Sequence, residues 1–364
     1  MAGCSGFAGL GFNACGRVAV VAFSLFACQG AVAADAPLDP FSVTQAVRLA
    51  KMRADVATAK LKVGYPGKCY EPTEEEMKWK LDEFAPKARK VAAVLDYYDV
   101  GEETIGYVEA KCKSCPKLYV GESVSEMRST DKSGFEQTTE MREVSPGVWR
   151  SVVPLALRYF RFVGAVAEVR FLEDVDSSLV LKGAFSSMDP KMDRIWKAAA
   201  RTVFLCSRHF IVDGVKRDRL PWAGDLSVSL LANAYTYADA ETVKRTIAAL
   251  ETFRPETSDV NGLIDYSLWL VISHDLFQLY FGDMDFLRVQ YPSIRSRLEV
   301  FARRADKDGL LRNDGFGGDG LGGAGGRIFV DWTPEIRDNV GDGAVSSLNM
   351  VYKGALDAGA RLAE

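Results

Sequence analysis

A short stretch of mixed charge is the part of the chain best suited to chemistry. Residues 212–225 read Val-Asp-Gly-Val-Lys-Arg-Asp-Arg-Leu-Pro-Trp-Ala-Gly-Asp and hold three carboxylates, Asp213, Asp218 and Asp225, among three cations. Carboxylates in different electrostatic surroundings take different protonation states, which is how paired acids acquire separate acid and base roles. Trp222 adds an apolar ring face of the kind on which sugars stack. The alternative interpretation is a salt-bridged loop between two helices.

Composition excludes several other kinds of chemistry. The 364 residues include only two histidines, His209 and His274, and carry a formal net charge of -4. Catalysis therefore has to rest on carboxylates, hydroxyls or cysteines, and we expect neither a metal nor another cofactor. A slightly acidic chain also lacks the basic surface that nucleic acid requires, so we expect no nucleic-acid partner. We interpret His274 as a core residue of an apolar helix and His209 as a candidate pocket residue.

The cysteines favour a structural role over a catalytic one. A mature chain would retain Cys69, Cys112, Cys115 and Cys206, which permit three disulfide pairings that sequence cannot distinguish. Cys112 and Cys115 form a single C-x-x-C pair without the second pair or the histidines that zinc would need. A strand-like run leads into this pair, unlike the strand-to-helix turn of thioredoxins.

The N-terminus is typical of an export signal. In residues 1–34, Arg17 precedes a short apolar run and then small residues, which predicts cleavage near Ala33 or Ala34. We therefore expect a periplasmic or extracellular protein with no membrane span in the mature chain. Lipid attachment at Cys28 is the weaker alternative.

The elements that must position residues 212–225 differ before and after residue 182. We predict a β-rich domain over 35–182, with a helical N-terminal extension over 73–95 that begins at a capping box of Thr73 and Glu76. Short alternating runs separated by turn residues predict antiparallel strands of a sandwich. These runs are 104–110, 117–120, 147–153 and 158–163.

Helical periodicity dominates residues 183–364. Apolar stripes predict about six helices joined mostly by short loops, with a glycine-rich loop at 315–326 and a bend or break at Pro292. Strands followed by helices indicate separate domains, and each stripe is interpreted as core. The stripes are Met192, Ile195, Trp196, Ala199 and Val203; Val243, Ile247, Leu250 and Phe253; Leu268, Ile272, Leu276 and Leu279; Phe286, Val289, Ile294, Leu298 and Phe301; and Val345, Leu348, Tyr352 and Leu356.

Residues 212–225 resemble the signature of the α-L-rhamnosidases of glycoside hydrolase family 78, approximately Asp-Gly/Cys-Pro-x-Arg-Glu/Asp followed by Trp-x-Gly-Asp. Because several separated motifs fall in the family's order, the resemblance is specific over about residues 104–364, whereas residues 35–100 are not covered. These further motifs are 156–161, 183–196, 264–269, 280–283 and 329–332.

The resemblance implies a multidomain fold in which an antiparallel β-sandwich precedes an (α/α)6 six-hairpin barrel. It also implies hydrolysis of terminal α-L-rhamnosides, or of a related oligosaccharide or glycoside, with inversion. An inverting enzyme needs a general acid and a general base about 6.5–9.5 Å apart. Matched position by position, Asp218 is the implied acid. The implied substrate-binding residues are Asp213, Arg217, Trp222, Asp225, Asp265 and Trp332.

Two departures from the family pattern qualify this expectation. The first is Asp218, which stands where the family often has glutamate and is shorter by one methylene. Retraction of the proton donor by roughly one ångström can lower the rate about 100-fold. We interpret the aspartate as a subfamily pattern, and a changed role at this position is the alternative to the general acid.

The second departure is length. About six of the barrel's twelve helices fit into the chain, which stops within a helical pattern at 355–364. We therefore expect a truncated product with about the first half of the barrel, its general base lying beyond the chain's end rather than at Glu335. The alternatives are a catalytically inactive carbohydrate-binding fragment or degenerate homologue, and a purely structural secreted protein.

Overall fold

The computed structural model describes residues 84, 86–130, 137–216, 219–251, 255, 259–313, 328–330 and 343–364. They form two compact units, a first unit of the described residues up to 251 and a second unit of those from 255 onward. The division predicted from sequence, into 1–34, 35–182 and 183–364, stays a prediction. The following predicted features lie outside the described residues: the export signal, Cys69, the capping box at Thr73, Arg217, Asp218, Phe253, the glycine-rich loop, Trp332 and Glu335.

Eight antiparallel strands of the first unit belong to one hydrogen-bonded sheet. The four predicted runs lie in or overlap β3, β4, β6 and β7, which confirms the antiparallel strands. The two facing layers of a sandwich stay a prediction, because β3 pairs with β2, β6, β7 and β8 and so links the strands into one sheet. The strands are β1 Lys87–Arg89, β2 Ala92–Val94, β3 Tyr97–Lys111, β4 Lys117–Gly121, β5 Met141–Ser145, β6 Val148–Ser151, β7 Leu155–Val163 and β8 Glu168–Glu173.

The predicted helix over 73–95 is wrong for its described part. Residues 87–89 and 92–94 form β1 and β2, paired with β8 and β3 respectively. Leu95 makes the turn between β2 and β3, with φ of 52° and its side chain fully exposed. Pro86 disfavours a continuous helix here. Pairing with neighbouring strands gives the main-chain N–H and C=O groups of these residues the hydrogen bonds that a helix would otherwise provide.

Seven helices are described, and six of them lie after residue 189, as the periodicity predicted. They are α1 Val124–Arg128, α2 Pro190–Cys206, α3 Ala223–Thr236, α4 Ala240–Leu250, α5 Ile264–Phe281, α6 Met284–Arg304 and α7 Ser346–Ala363, with a 3-10 turn at Val260–Gly262. Asp189, Asp239 and Asp283 cap α2, α4 and α6 by accepting hydrogen bonds from main-chain N–H groups. Helix α6 continues through Pro292.

Burial separates the helices that build core from the one that does not. The described residues of the α4 stripe are buried as predicted, and α5, α6 and α7 share the core of the second unit around Leu268, Leu298 and Tyr352. Leu279 was predicted as core on the α5 stripe but is exposed. The α2 stripe was also predicted as core, but Met192 and Ile195 are 46% and 51% exposed. Helix α2 instead buries Ala200 and Leu205, because within the first unit it packs mainly on α3.

The segment that joins sheet and helices packs on α3. The main-chain N–H groups of Lys182 and Gly183 donate to the Thr236 carbonyl at 2.9 and 2.6 Å.

No helix among the described residues is both long enough and apolar enough to span a membrane.

Glycine at position 106 tests the close contact of β3 with β8. A Cβ there would overlap the main-chain carbonyl of Leu172 and lie 2.7 Å from the Phe171 ring. We expect Gly106→Ala to lower the free energy of unfolding by about 1–3 kcal/mol, the range for overpacking. Urea unfolding measures this change. In Gly354→Ala, the matched control, the nearest atom is 3.3 Å away at the flexible end of Ile272, so a loss as large as that of Gly106→Ala would contradict the explanation.

Candidate active site

The stretch singled out from sequence lies in the connection between α2 and α3, residues 207–222, here called the signature loop. It was predicted as a loop, and the helices end at Cys206 and begin again at Ala223. Its start folds back on itself, since Ser207 and Ile211 form an isolated bridge. The Val212 N–H also donates to the Cys206 carbonyl at 3.0 Å. The loop therefore leaves α2 in a fixed direction.

A buried ion pair ties this start to the sheet. Arg208 donates to the main-chain carbonyl and to Oδ2 of Asp174, both at 2.7 Å, and the two side chains are only 4% and 0% exposed. The Asp174 N–H in turn donates to the Ile105 carbonyl of β3 at 2.8 Å. Because an unpaired charge at this depth is costly, the pair fixes the loop where β8 ends.

Asp213 closes the segment that contains the implied acid. Its N–H donates to the Leu220 carbonyl at 3.1 Å, and its Oδ1 accepts from the Leu220 N–H at 3.3 Å. The carboxylate predicted to bind a sugar therefore also holds the two ends of the 213–220 segment together.

Two cations of the loop contact the β-rich part of the first unit. Lys216 Nζ forms an ion pair with Glu126 Oε1 and lies 3.6 Å from Glu122 Oε1. Arg219 donates from Nη1 to the Pro154 carbonyl and from Nε to the Val215 carbonyl, both at 2.6 Å. These residues flank positions 217 and 218 on either side.

The acidic groups beside Lys216 include one with a strongly shifted pKa. Burial, and then a hydrogen bond to Glu122 and its charge, raise the pKa of Glu103 to about 7. Nearby, burial and the charge of Asp213 raise the pKa of the Cys206 thiol to about 11. Cys206 is therefore a neutral thiol near pH 7 and a poor nucleophile.

The remaining predicted site residues of the first unit lie at the start of α3. Trp222 is the residue before the helix and is only 7% exposed, so little of its ring face is open for stacking. Asp225 is exposed in the first turn, where the positive end of the helix dipole favours a carboxylate. Arg217 and Asp218 are not described, and their roles stay predictions.

Asp265 lies in the second unit and is 4% exposed in the first turn of α5. Its Oδ1 accepts from the Phe329 N–H at 3.1 Å and its Oδ2 from the Val330 N–H at 3.3 Å. Burial raises the pKa of Asp265, although these hydrogen bonds oppose the shift. Val330 has φ of 58°, an uncommon conformation for a β-branched residue that this carboxylate helps to hold. Asp265 thus orders the residues that lead toward Trp332.

The histidines and cysteines have structural surroundings. His274 is 2% exposed with its ring centroid 6.3 Å from that of Phe286, which confirms it as a core residue. His209 is exposed on the signature loop, and its carbonyl accepts from Arg245 Nε at 2.9 Å. Cys112, Cys115 and Cys206 are free thiols. The described residues contain no group of three or more side chains suited to a metal.

Sequence reasoning missed the contacts that hold the loop, namely those of Arg208 with Asp174, Lys216 with Glu126 and Arg219 with Pro154. The partners of these contacts are 34, 90 and 65 positions apart. Spacing within one segment carries no information on such pairs. The sequence shows that Lys216 and Arg219 are charged. It does not show that Lys216 pairs with the Glu126 carboxylate or that Arg219 donates to the Pro154 carbonyl.

The ion pair of Arg208 and Asp174 has an exposed counterpart that allows a matched test. Asp174→Ala leaves Arg208 buried without its carboxylate, and we expect a loss of about 3–5 kcal/mol in the free energy of unfolding. Asp96 and Arg128 also pair at 2.7 Å, but their side chains are 58% and 51% exposed. Asp96→Ala should cost less than about 1 kcal/mol. Urea unfolding of both variants measures the difference, and equal losses would contradict the role of burial.

The raised pKa of Glu103 predicts a pH dependence of stability. Since it is raised from 4.5 to about 7 in the folded chain, the folded state holds this proton more tightly than the unfolded state. The resulting stabilisation is complete below the unfolded value and is lost as pH rises through the folded value. We therefore compare the free energy of unfolding of the wild type with that of Glu103→Gln, which cannot titrate. As pH rises from 4.5 to about 7, the wild-type value should fall relative to that of the variant. Urea unfolding at a series of pH values measures the difference, and a constant difference would contradict the assignment.

The segment that contains the signature loop is similar to a known glycosidase domain. Residues 181–343 match the family model for the bacterial alpha-L-rhamnosidase 6 hairpin glycosidase domain. The fold is similar to that of a rhamnosidase from Klebsiella oxytoca with rhamnose bound, with 22% sequence identity and a TM-score of 0.53. The match covers 72% of this chain and 56% of that one, so the chain spans little more than half the length of that relative. No curated protein matches the chain. The expected similarity to an α-L-rhamnosidase six-hairpin glycosidase domain is thereby confirmed for residues 181–343.

Proposed function

We propose that the chain is an exported glycoside hydrolase that cleaves terminal α-L-rhamnosides, or a related glycoside, with inversion at the anomeric carbon. The observation that carries the proposal is the signature loop, which lies within the matched glycosidase segment and is held at both flanks of position 218. Rhamnose bound to a protein of similar fold supports the choice of sugar.

Export requires removal of the N-terminal signal. We expect the mass of the intact secreted protein to show that its first residue is Ala34 or Asp35.

Asp218 is the proposed general acid, which donates a proton to the departing glycosidic oxygen while water attacks the opposite face of the sugar. The proton donor must lie within hydrogen-bond reach of that oxygen, so the loop that carries Asp218 has to be fixed. The contacts of Asp213 with Leu220 support such a loop. The general base is not assigned to a residue of the described ranges.

The other site residues have unequal parts in the proposal. Asp225, exposed at the start of α3, is the described carboxylate best placed to accept a hydrogen bond from a sugar hydroxyl. Trp222 is nearly buried and would contribute an edge of its ring rather than a full stacking face. Asp265 acts indirectly. Its carboxylate accepts hydrogen bonds from Phe329 and Val330, which precede Trp332 in the sequence by three and two positions. Arg217 is proposed to bind substrate beside the acid.

Asp218→Asn tests the acid role through the leaving group. A poor leaving group such as an alkyl alcohol or a simple phenol needs protonation, whereas a dinitrophenolate does not. We therefore expect Asp218→Asn to lower kcat for phenyl α-L-rhamnoside by about 100-fold or more and to leave kcat for the dinitrophenyl rhamnoside within a few-fold. Release of the phenol measures both rates. The control is Asp308→Asn, which changes an exposed aspartate of the second unit. If Asp218→Asn lowered kcat equally for both substrates, Asp218 would not be the general acid.

Sugar binding and hydrolysis are separated by adding an external nucleophile. Azide attacks the anomeric carbon without a general base, so a chain that has the acid and the sugar site should yield rhamnosyl azide of inverted configuration from the activated substrate. Calorimetry with L-rhamnose measures binding independently of turnover. Binding without product in either water or azide supports the carbohydrate-binding alternative. Neither binding nor product would overturn the proposed function.

A further inference from the structure

We propose that Glu126 and Arg219 are positioning residues for the proposed general acid, so that the β-rich part of the first unit fixes the geometry of the signature loop. The inference rests on the proposed function. Neither residue is expected to touch the substrate, and each would act through the residues that flank position 218.

The first contact is built on helix α1. Ser123 caps this helix and its hydroxyl accepts from the Glu126 N–H at 3.2 Å, while Glu126 Oε2 accepts from the Glu122 N–H at 2.9 Å. The Glu126 side chain is therefore oriented by its own helix end before it meets the loop. Its other oxygen, Oε1, forms the ion pair with Lys216, two positions before Asp218.

Burial increases the value of this ion pair. The side chains of Lys216 and Glu126 are each only 24% exposed, so solvent screens their attraction less than at an open surface. Lys216 also lies 3.6 Å from a second carboxylate oxygen, Glu122 Oε1. A lysine attracted by two carboxylates has less freedom to swing away, and the loop backbone at position 216 is held with it.

The second contact lies immediately after the acid. Arg219 has φ of 55°, in the left-handed region that a non-glycine residue enters at a cost of order 1–2 kcal/mol. Its guanidinium spans the Val215 and Pro154 carbonyls at 2.6 Å each and lies 3.4 Å from Gln137 Oε1. Gln137 is itself fixed to Ala156 of β7 by hydrogen bonds to its N–H and carbonyl. Strain that is held by several hydrogen bonds beside a functional position is typical of a positioned site.

The variants separate positioning from general stability. Glu126→Gln and Lys216→Met remove the first contact, and Arg219→Gly removes the second while glycine tolerates the positive φ. Arg128→Met is the matched control, because Arg128 lies on the same helix α1 and pairs with Asp96 rather than with the loop. A double variant, Glu126→Gln with Lys216→Met, tests whether Glu126 acts through Lys216.

The expected result is a loss confined to the chemistry that needs the acid. For phenyl α-L-rhamnoside we expect kcat to fall about 10–100-fold in each contact variant, with KM changed less than about threefold. For the dinitrophenyl rhamnoside kcat should stay within about twofold, as should both rates in Arg128→Met. The double variant should lose no more than the more affected single variant. Equal loss for both substrates, or additive losses in the double variant, would overturn the proposal.

Amide hydrogen exchange tests the contacts of Glu126 and Arg219 with the signature loop independently of enzyme activity. Amide hydrogen exchange of peptides covering residues 213–222 should accelerate by about tenfold or more in Glu126→Gln and Arg219→Gly and stay unchanged in Arg128→Met. Unchanged exchange in the contact variants would show that neither residue holds the loop. A wild-type chain that neither binds L-rhamnose nor forms product in water or azide would overturn the proposed function and the acid-positioning role together, whereas faster exchange would still establish the two contacts.

Discussion

The buried ion pair between Arg208 and Asp174 is the interaction on which the rest of the candidate site depends. An arginine that is 4% exposed must keep its carboxylate partner, because its charge cannot recover hydration at that depth. The loop after α2 is therefore obliged to start at the end of β8. From that starting point Lys216 pairs with Glu126 of α1 and Arg219 donates to the Pro154 carbonyl.

The described carboxylates of the candidate site differ in what they contact. Asp213 and Asp265, whose roles in sugar binding stay predictions, both accept hydrogen bonds from main-chain N–H groups. Asp265 does so twice, which offsets part of the cost of its burial. These hydrogen bonds hold the main chain around both carboxylates in place. Asp225, by contrast, is exposed at a helix start.

Two errors of the sequence interpretation have the same physical origin. Apolar residues at helical spacing predicted a helix over 73–95 and a buried stripe on α2. Periodicity reports which residues share a face of a helix, not whether another element covers that face or whether a strand will pair with the segment instead. Pairing of β1 with β8 decided the first case, and the packing of α2 mainly on α3 decided the second. The α4 stripe was predicted correctly because its face meets other elements of its unit.

The sequence by itself determined that a β-rich part precedes the helices after residue 189, the place of the signature loop between two helices, the core position of His274 and the resemblance to a glycosidase family. The first three features depend on periodicity and turn residues, which are encoded by residues that are close together in the chain. Only the tertiary structure decided that Glu126 pairs with Lys216 across 90 positions and that Asp174 receives Arg208. Such contacts depend on the packing of the loop against the sheet, and packing brings together residues whose separation along the chain carries no pattern.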